Sequence, residues 1–545
     1  MSAGFGEGTA IDLIRSFEPL RSQRETDFDS VWEEIARRVL PRYEFRGDRR
    51  RYATSQEDIF DATAATGLKR FGAAMESMLT PRSQLWHALA ASDPKLENND
   101  RVARYLEAVR DILFAARRSP AANFASQLHE AYLSLGAFGT GAVLVMPGED
   151  GRSPVYRSIP LQELYVAENA AGRIDKVYRR YWQTARQMAQ HFGEDALPDP
   201  IAKCLADKPE ERFELLHIVR PNRDIDPGRR DWRSMTFESW HLTVQHPHVL
   251  RRSGFRTMPY AVSRYVTAPG EVYGRSPALE VLPDIKMADR MSRTIIDRAN
   301  LAAEPPLLAV DDDLPVPVLI PNAVNPGWLN RDGSPKIRPL EPGSDFAVGL
   351  EMLDQCHRSI NDAFLVTLFQ ILVDSPSMTA TEAMLRSQEK GALLAPTMGR
   401  QQSELLAPII EREIDILTAA EMLPDMPPEL VEAGGAIEVE YLSPLARAQR
   451  MEQATGLVRT LEAIMPLAQH DPSILDNIDA DKALRGLAEI NGVDMDMMRP
   501  VEEVLERRRQ QQEAMQMQQA AAMAPGLKAG AEAAATLSQM EGANL

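Results

Sequence analysis

The sequence predicts an α+β protein in which helix predominates. Two long helical patterns flank a proline-rich span within residues 273–372. Further helical patterns fill most of residues 10–135 and 380–523, and strand patterns cluster in a middle stretch, mainly 156–265. Steps of three and four between apolar residues mark the helices; short apolar or alternating runs bounded by turn residues mark the strands.

Bulk properties narrow the class. A length of 545 residues at 44% hydrophobic composition supports a sizeable core and several domains or one elaborate subunit. The balance of 61 basic against 79 acidic residues gives −18. That argues against a chain that clings to nucleic acid by counterion release, though not against a sleeve through which a polyanion slides. Cys204 and Cys356 stand far apart, which suits a reducing compartment and excludes a disulfide framework. No signal-peptide pattern appears, and the longest apolar run, around 142–146, is too short to span a bilayer. The expectation is a soluble, acidic protein, intracellular at synthesis, with no membrane partner.

Residues 10–40 read as one helix, spaced by Leu13, Phe17, Leu20, Phe28, Val31, Ile35 and Val39 and stopped by Pro41. Arg37, Arg38, Arg42, Arg46, Arg49, Arg50 and Arg51 form the most basic cluster. It reads either as a contact for DNA or an acidic neighbour, or as a solvated, salt-bridged face. Helices follow at 61–79, 101–118 and 122–135. The run Gly136-Ala137-Phe138-Gly139-Thr140-Gly141 lacks a following Lys and leads into a strand, 142–145, where a phosphate loop needs a helix. It is a helix-to-strand turn. Strand patterns lie at 159–165, 172–179, 213–219 and 237–244, with a helix at 185–192. His246-Pro247-His248 has no third ligand nearby and a ladder-breaking proline, so it reads as a surface turn.

The central span carries the most information. Leu282, Ile285, Ala288, Ile295, Ala299 and Ala302 give the first long helix, to about residue 303, one apolar face. Leu350, Leu353, Ile360, Phe364, Leu368 and Ile371 do so for the second, 346–372, with His357 at the missing step. Ser276 reads as an N-cap with Pro277 at the first helical position, rather than as a nucleophile elbow. Pro283 should kink the helix and set apart a short lead-in. Between the helices, Trp328 and the 330–334 turn form the expected tip of the insertion, with a strand over 336–340. Trp328 reads as an exposed interface anchor or as a buried side chain. Such a pair with an extended insertion makes a stalk rather than an enzyme pocket. Residues 380–420 read as a long helix bent by Pro396 and Pro408, opened by a capping box at Thr379-Ala380-Thr381-Glu382. A strand is expected at 437–441, then helices at 447–465, 480–490 and from 501 to about 523. The tail, 510–545, is rich in Gln, Met and Ala and reads either as disordered or as packed helices.

Tyr273-Gly274-Arg275-Ser276-Pro277-Ala278-Leu279-Glu280 and Leu282-Pro283-Asp284-Ile285-Lys286 resemble the head-to-tail connector, or portal, family of short-tailed (podovirus-type) bacteriophages. So do Thr80-Pro81-Arg82-Ser83-Gln84-Leu85-Trp86-His87 and Ser443-Pro444-Leu445-Ala446-Arg447-Ala448-Gln449-Arg450. The resemblance implies a portal fold assembled as a dodecameric ring. It assigns 1–270 to the N-terminal part of an α+β wing, 271–303 to the first stem helix and 304–345 to the clip. It assigns 346–372 to the second stem helix, 373–379 to the tunnel loop and 380–442 to the long wing helix and returning strand. Residues 443–509 become a helical crown and 510–545 a tail that can close it as a barrel.

The implied function is a DNA channel at one capsid vertex, serving procapsid assembly, packaging, retention, ejection and tail attachment, with no cofactor or metal. Implied partners are further copies of the chain, double-stranded DNA read without sequence specificity, the terminase large subunit, the major capsid and scaffolding proteins, and a tail adaptor. The chain would assemble in the host cytoplasm and reside in the virion. Val373, Asp374, Ser375, Pro376, Ser377 and Met378 occupy the tunnel-loop position. Lys286, Arg290, Arg293, Arg298, Glu351, Asp354 and Arg358 are candidates to face the channel, and Trp328, Asn330, Arg331 and Asp332 to meet the adaptor. Two rival readings are another virion assembly or internal ejection protein, and a helical hydrolase, for which no H-E-x-x-H, Walker A or C-x-x-C pattern is present.

Overall fold

The computed structural model describes residues 7–41, 59–82, 84–96, 99–304, 307–309, 318, 326–339, 346–366 and 396–442, with short pieces at 484, 503–504, 506–511 and 513–515. In chain order these residues form α1 (Glu7–Asp27), α2 (Asp29–Val39), α3 (Thr63–Leu79), β1 (His87–Ala91), α4 (Asp100–Arg118), α5 (Phe124–Phe138) and β2 (Thr140–Pro147). Next come β3 (Pro154–Ser158), β4 (Leu164–Glu168), β5 (Ile174–Thr184), α6 (Ala185–Phe192), α7 (Asp199–Asp207), β6 (Arg212–Pro221), β7 (Phe237–Thr243), β8 (His248–Phe255) and β9 (Tyr260–Arg264). The remainder are α8 (Pro277–Glu280), α9 (Leu282–Ala303), β10 (Leu307–Ala309), β11 (Ile337–Pro339), α10 (Phe346–Ala363), α11 (Ala407–Ala419), α12 (Pro428–Glu432) and β12 (Ile437–Tyr441). The chain is thus mixed helix and sheet, in two units: residues 1–86 with 111–423, and residues 87–110 with 424–545.

The first unit is built on an antiparallel sheet of order β4-β5-β6-β7-β8. Alternation along β6 sends Leu216 and Ile218 to one face and Phe213 and Leu215 to the other. Leu13 and Phe17 of α1 cover the first face, beside Tyr165, Tyr178, Trp240 and Leu242. Met188 of α6 and Ile201 of α7 cover the second, beside Tyr181 and Leu250. Two-sided burial explains why β6 is read as a nearly continuous apolar run. The sequence missed α7, β8 and β9, whose patterns are short or mixed.

The single helix expected over 10–40 breaks at Phe28. Phe28 stacks on Trp32 and meets the Tyr273 ring edge-on. Arg24 turns into the sheet instead of solvent: it pairs with buried Asp29, donates to the carbonyls of Leu161 and Leu164, and covers the Tyr165 ring at 3.7 Å. A long-range anchor of this kind leaves no local periodicity.

A second sheet, β3-β2-β9, follows α5 directly. Gly139 caps α5 at φ +79, where a Cβ would stand 2.2 Å from the Gly274 carbonyl oxygen, so only glycine fits. The 136–141 run is accordingly a helix-to-strand crossing against the 274 backbone. Across this sheet the helical stretch 396–401 leads through a π turn, Gln402–Leu406, into α11. Pro408 lacks an N–H for the Glu404 carbonyl, and the Ala407 N–H bonds to Gln402 instead. The bend expected at Pro408 takes this form. Glu413 of α11 lies buried against Arg117 (Oε2 to Nη2, 2.5 Å) and accepts from the Tyr156 hydroxyl (2.5 Å). Residues 380–395 of the expected long helix lie outside the described residues.

The second unit pairs β1 with β12 antiparallel, His87 opposite Tyr441, and Arg101 reaches Glu429 at 3.4 Å. The expected helices 447–465 and 480–490 lie almost wholly outside the described residues. The one expected from 501 is helical at 503–504, 506–511 and 513–515.

A buried imidazole pair crosses β6 and β7. The His217 and His241 rings stack at 3.8 Å between centroids, and His217 lies 2.6 Å from the Tyr260 hydroxyl and 2.9 Å from that of Ser239. Burial, then the charge of Arg179, lowers the His217 pKa to about 3, and burial, then His217 itself, pushes His241 well below its ordinary value. The unfolded chain therefore binds protons that the folded chain refuses. This contribution is complete above about pH 6.5 and is lost as pH falls, at up to about 1.4 kcal/mol per pH unit for each histidine. The thermal midpoint should therefore drop steadily between about pH 7 and about pH 5; a flat profile would contradict the assignment.

Candidate functional site

The helix pair is assembled from its base. Ser276 caps α8 by accepting from the Leu279 N–H (3.0 Å), with Pro277 at the first helical position. The chain breaks at Val281 and α9 starts at Leu282 with Pro283 in its first turn, which is the expected lead-in and kink. At 22 and 18 residues, α9 and α10 are about 33 and 27 Å long. Ser359 Oγ near the end of α10 donates to Asp284 Oδ2 near the start of α9 (2.6 Å), so the two run in opposite directions.

Carboxylates hold this base. Asp289 of α9 accepts from Arg38 of α2 (2.7 Å) and from the Phe60 N–H (2.7 Å). Asp61 accepts from the Thr63 N–H at the start of α3 (2.9 Å) and lies 2.5 Å from His357 Nε2 of α10. Burial pushes the Asp61 carboxyl up, but the bonds from His357 and Thr63 outweigh it and hold it below its ordinary value. Apolar burial is confined to the same end, at Leu282, Ile285 and Ala288 of α9 and Cys356 and Ile360 of α10. Farther along the expected face, Ala299, Ala302 and Leu350 are exposed and Ile295 and Leu353 half-buried; off that face, Ile296 and Met352 are also exposed, at 43% and 48%.

The expected second helix is interrupted after Ala363, with Val366 helical again and 367–372 outside the described residues. Leu365 takes a left-handed φ of +60, while Phe364 is fully buried beside Gly67 and Phe71. Turning Phe364 into α3 outweighs continuing the helix. Leu368, Ile371 and all six tunnel-loop candidates, Val373, Asp374, Ser375, Pro376, Ser377 and Met378, lie outside the described residues.

Of the channel candidates, Lys286 is tied to Glu34 (2.6 Å), and Arg293 lies over the Phe60 ring and 3.9 Å from Asp297. Arg290, Arg298, Glu351, Asp354 and Arg358 are exposed. In the insertion β10 pairs with β11, and Asn330 closes its turn by donating to the Ser334 carbonyl (2.8 Å). Trp328 is buried at 9% exposure, so the exposed-anchor reading fails; its neighbour Leu329, at 65%, is the apolar side chain presented outward. Arg331 and Asp332 are exposed.

In the basic cluster, Arg37 meets Glu33 and Arg38 meets Asp289, which favours the salt-bridged reading for these two. His246 sits in the turn between β7 and β8, and His248 begins β8. A polar groove beside the π turn is lined by Glu168, Arg264, Thr267, Arg400, Ser403 and Glu404. Within it Arg264 pairs with Glu168 and Glu404, and Arg400 donates to the Thr267 hydroxyl.

A helix pair clamped at one end and exposed along much of its remaining length, among the described residues, suits a structural, assembling protein. The family described as "Bacteriophage head to tail connecting protein" matches residues 10–498, and the chain belongs to it. The probable portal protein of Bordetella phage BPP-1 is 30% identical, covering 97% of this chain and 95% of that protein. The portal protein of Salmonella phage epsilon15 has the same identity and coverage, and that of Escherichia phage T7 is 24% identical over 96% of each chain. Among solved structures, the neck of a native gene transfer agent particle computed with C12 symmetry matches at 14% identity and a TM-score of 0.34, over 74% of this chain and 88% of that one.

Replacing the cap tests the reading of Ser276. Ser276→Ala should lower the unfolding free energy by about 1 kcal/mol, and Ser276→Gly by only roughly a few tenths, in denaturant titrations. Equal losses would point to a role other than capping.

Proposed function

We propose that this phage portal subunit assembles into a dodecameric ring at one capsid vertex, with the α9–α10 pair as a stem around the DNA channel. The observation that carries the reading is a helix pair clamped at one end whose apolar side chains beyond it, Ala299, Ala302 and Leu350 of the expected faces with Ile296 and Met352, are exposed. Neighbouring copies arranged round an axis would cover these side chains, because each subunit presents the same surfaces to the next. Family membership over nearly the whole chain supports the same reading.

On this reading the sheets and their helices are the wing, residues 304–345 are the clip that meets the tail adaptor, 443–509 are the crown, and 510–545 can extend it. Leu329, Arg331 and Asp332 are the adaptor-facing candidates. The exposed side chains Arg290, Arg298, Glu351, Asp354 and Arg358 would place bands of both signs on the stem, giving weak contacts to phosphates and no base readout. A net charge of −18 keeps the sleeve from gripping its cargo. The ring would nucleate procapsid assembly with scaffolding and major capsid proteins, dock the terminase large subunit as the separate source of force, and later release DNA. Assembly would take place in the host cytoplasm and the mature ring would remain in the virion.

Residues 373–378 are the proposed grip on DNA. Deleting them should leave rings of normal mass while lowering the nuclease-protected DNA held per head. Normal DNA content in heads built on the deleted ring would contradict the assignment.

A further inference from the structure

The tie at the base of the helix pair does more than hold two helices together. Asp61 sits between them: Oδ2 is 2.5 Å from His357 Nε2 on α10 and accepts from Ser292 Oγ on α9 at 3.4 Å. Its other oxygen takes the Thr63 N–H that opens α3. Its neighbour Phe60, through the main-chain N–H, is fixed to Asp289 on α9. One short strap, residues 59–61, therefore contacts both helices and starts the helix beneath them.

That helix cannot easily yield. A Cβ at Gly67 of α3 would already meet Phe364 at 3.0 Å, and one at Gly72 would meet Leu133 of α5 at 2.8 Å. Dense packing of this kind transmits displacement instead of absorbing it. Beyond the strap, α9 continues from Asp289 to Ala303 with its side chains mostly exposed. A tilt of about 10° at Asp289 would move a tip about 21 Å away by roughly 4 Å. Small changes at the strap thus become large changes at the far end.

We infer that the Asp61–His357 contact is a positioning device that sets the splay of α9 against α10, and with it the bore of the channel. The inference rests on the portal reading above. Asp61 and His357 act on the cargo only through the helices they orient, and neither needs to touch DNA. Through Asp61, which also accepts from Ser292 of α9, the contact links α10 to α9 by way of the strap, beside the direct Ser359–Asp284 bond; the Asp289–Arg38 pair, made by α9 alone, gives no such link.

The test compares His357→Ala with His357→Gln in the full chain. The glutamine amide can donate to Asp61 from about the position of the lost ring nitrogen; alanine cannot. Both variants should give rings of wild-type mass. Heads carrying His357→Ala should hold at least about twofold less nuclease-protected DNA than wild-type heads, and His357→Gln should restore most of it. Wild-type DNA content in His357→Ala heads would overturn the inference. Loss of rings in the alanine variant would also overturn it, because the contact would then serve assembly and not positioning. Failure of the wild-type chain itself to form rings is a separate outcome that strikes the portal reading.

Discussion

Among the described residues the helix pair is buried and charge-paired at one end and largely exposed beyond it, so the contacts at that end do the anchoring. Carboxylates do the anchoring because they can accept from several elements at once. Asp289 gathers α2 and the strap before α3, and Asp61 gathers α3 and both long helices. A hydrophobic contact could bury as much area but could not fix direction, whereas paired charges with several donors do so at a cost in desolvation.

The same trade recurs deeper in the first unit. Arg117 and Glu413 are buried together, with the guanidinium 4.7 Å from the centre of the Trp86 ring and the carboxylate bonded by Tyr156. The pair fixes α11 to the helix and sheet beneath it. Ahead of this helix, Gln401 donates to the Arg264 carbonyl, and Glu404, within the π turn at Pro408, pairs with the Arg264 guanidinium. A helix held at its middle and through the turn before it resists rolling on the sheet, which suits a body that must keep its shape while something long passes by.

Much of this was legible in the sequence because it is local. The Ser276 cap, the break ahead of Pro283, the strand 437–441 and the helix 185–192 follow from caps, prolines and periodicity within a few residues. The breaks in the expected long helices come from distant contacts. The helix over 10–40 breaks where Arg24 is drawn into the sheet, and the second long helix is interrupted where Phe364 is drawn into α3. Asp61 and Asp289, the residues on which the site depends, carried no signal beyond being acidic residues on or beside helices. Their partners lie more than two hundred residues away in sequence, as with Asp61 and His357. His217 and His241 were invisible for the same reason, since only the register of β6 on β7 brings them face to face.

The account turns on whether the bare helix faces are covered by further copies of the chain. Native mass measurement of the purified full-length protein, with electron images of the same sample, addresses this most directly. The account predicts a closed ring of about twelve subunits with a central hole, as expected for repeated use of one interface round an axis. A compact monomer that stays monomeric at every salt concentration, with scaffolding protein present as well, would contradict it.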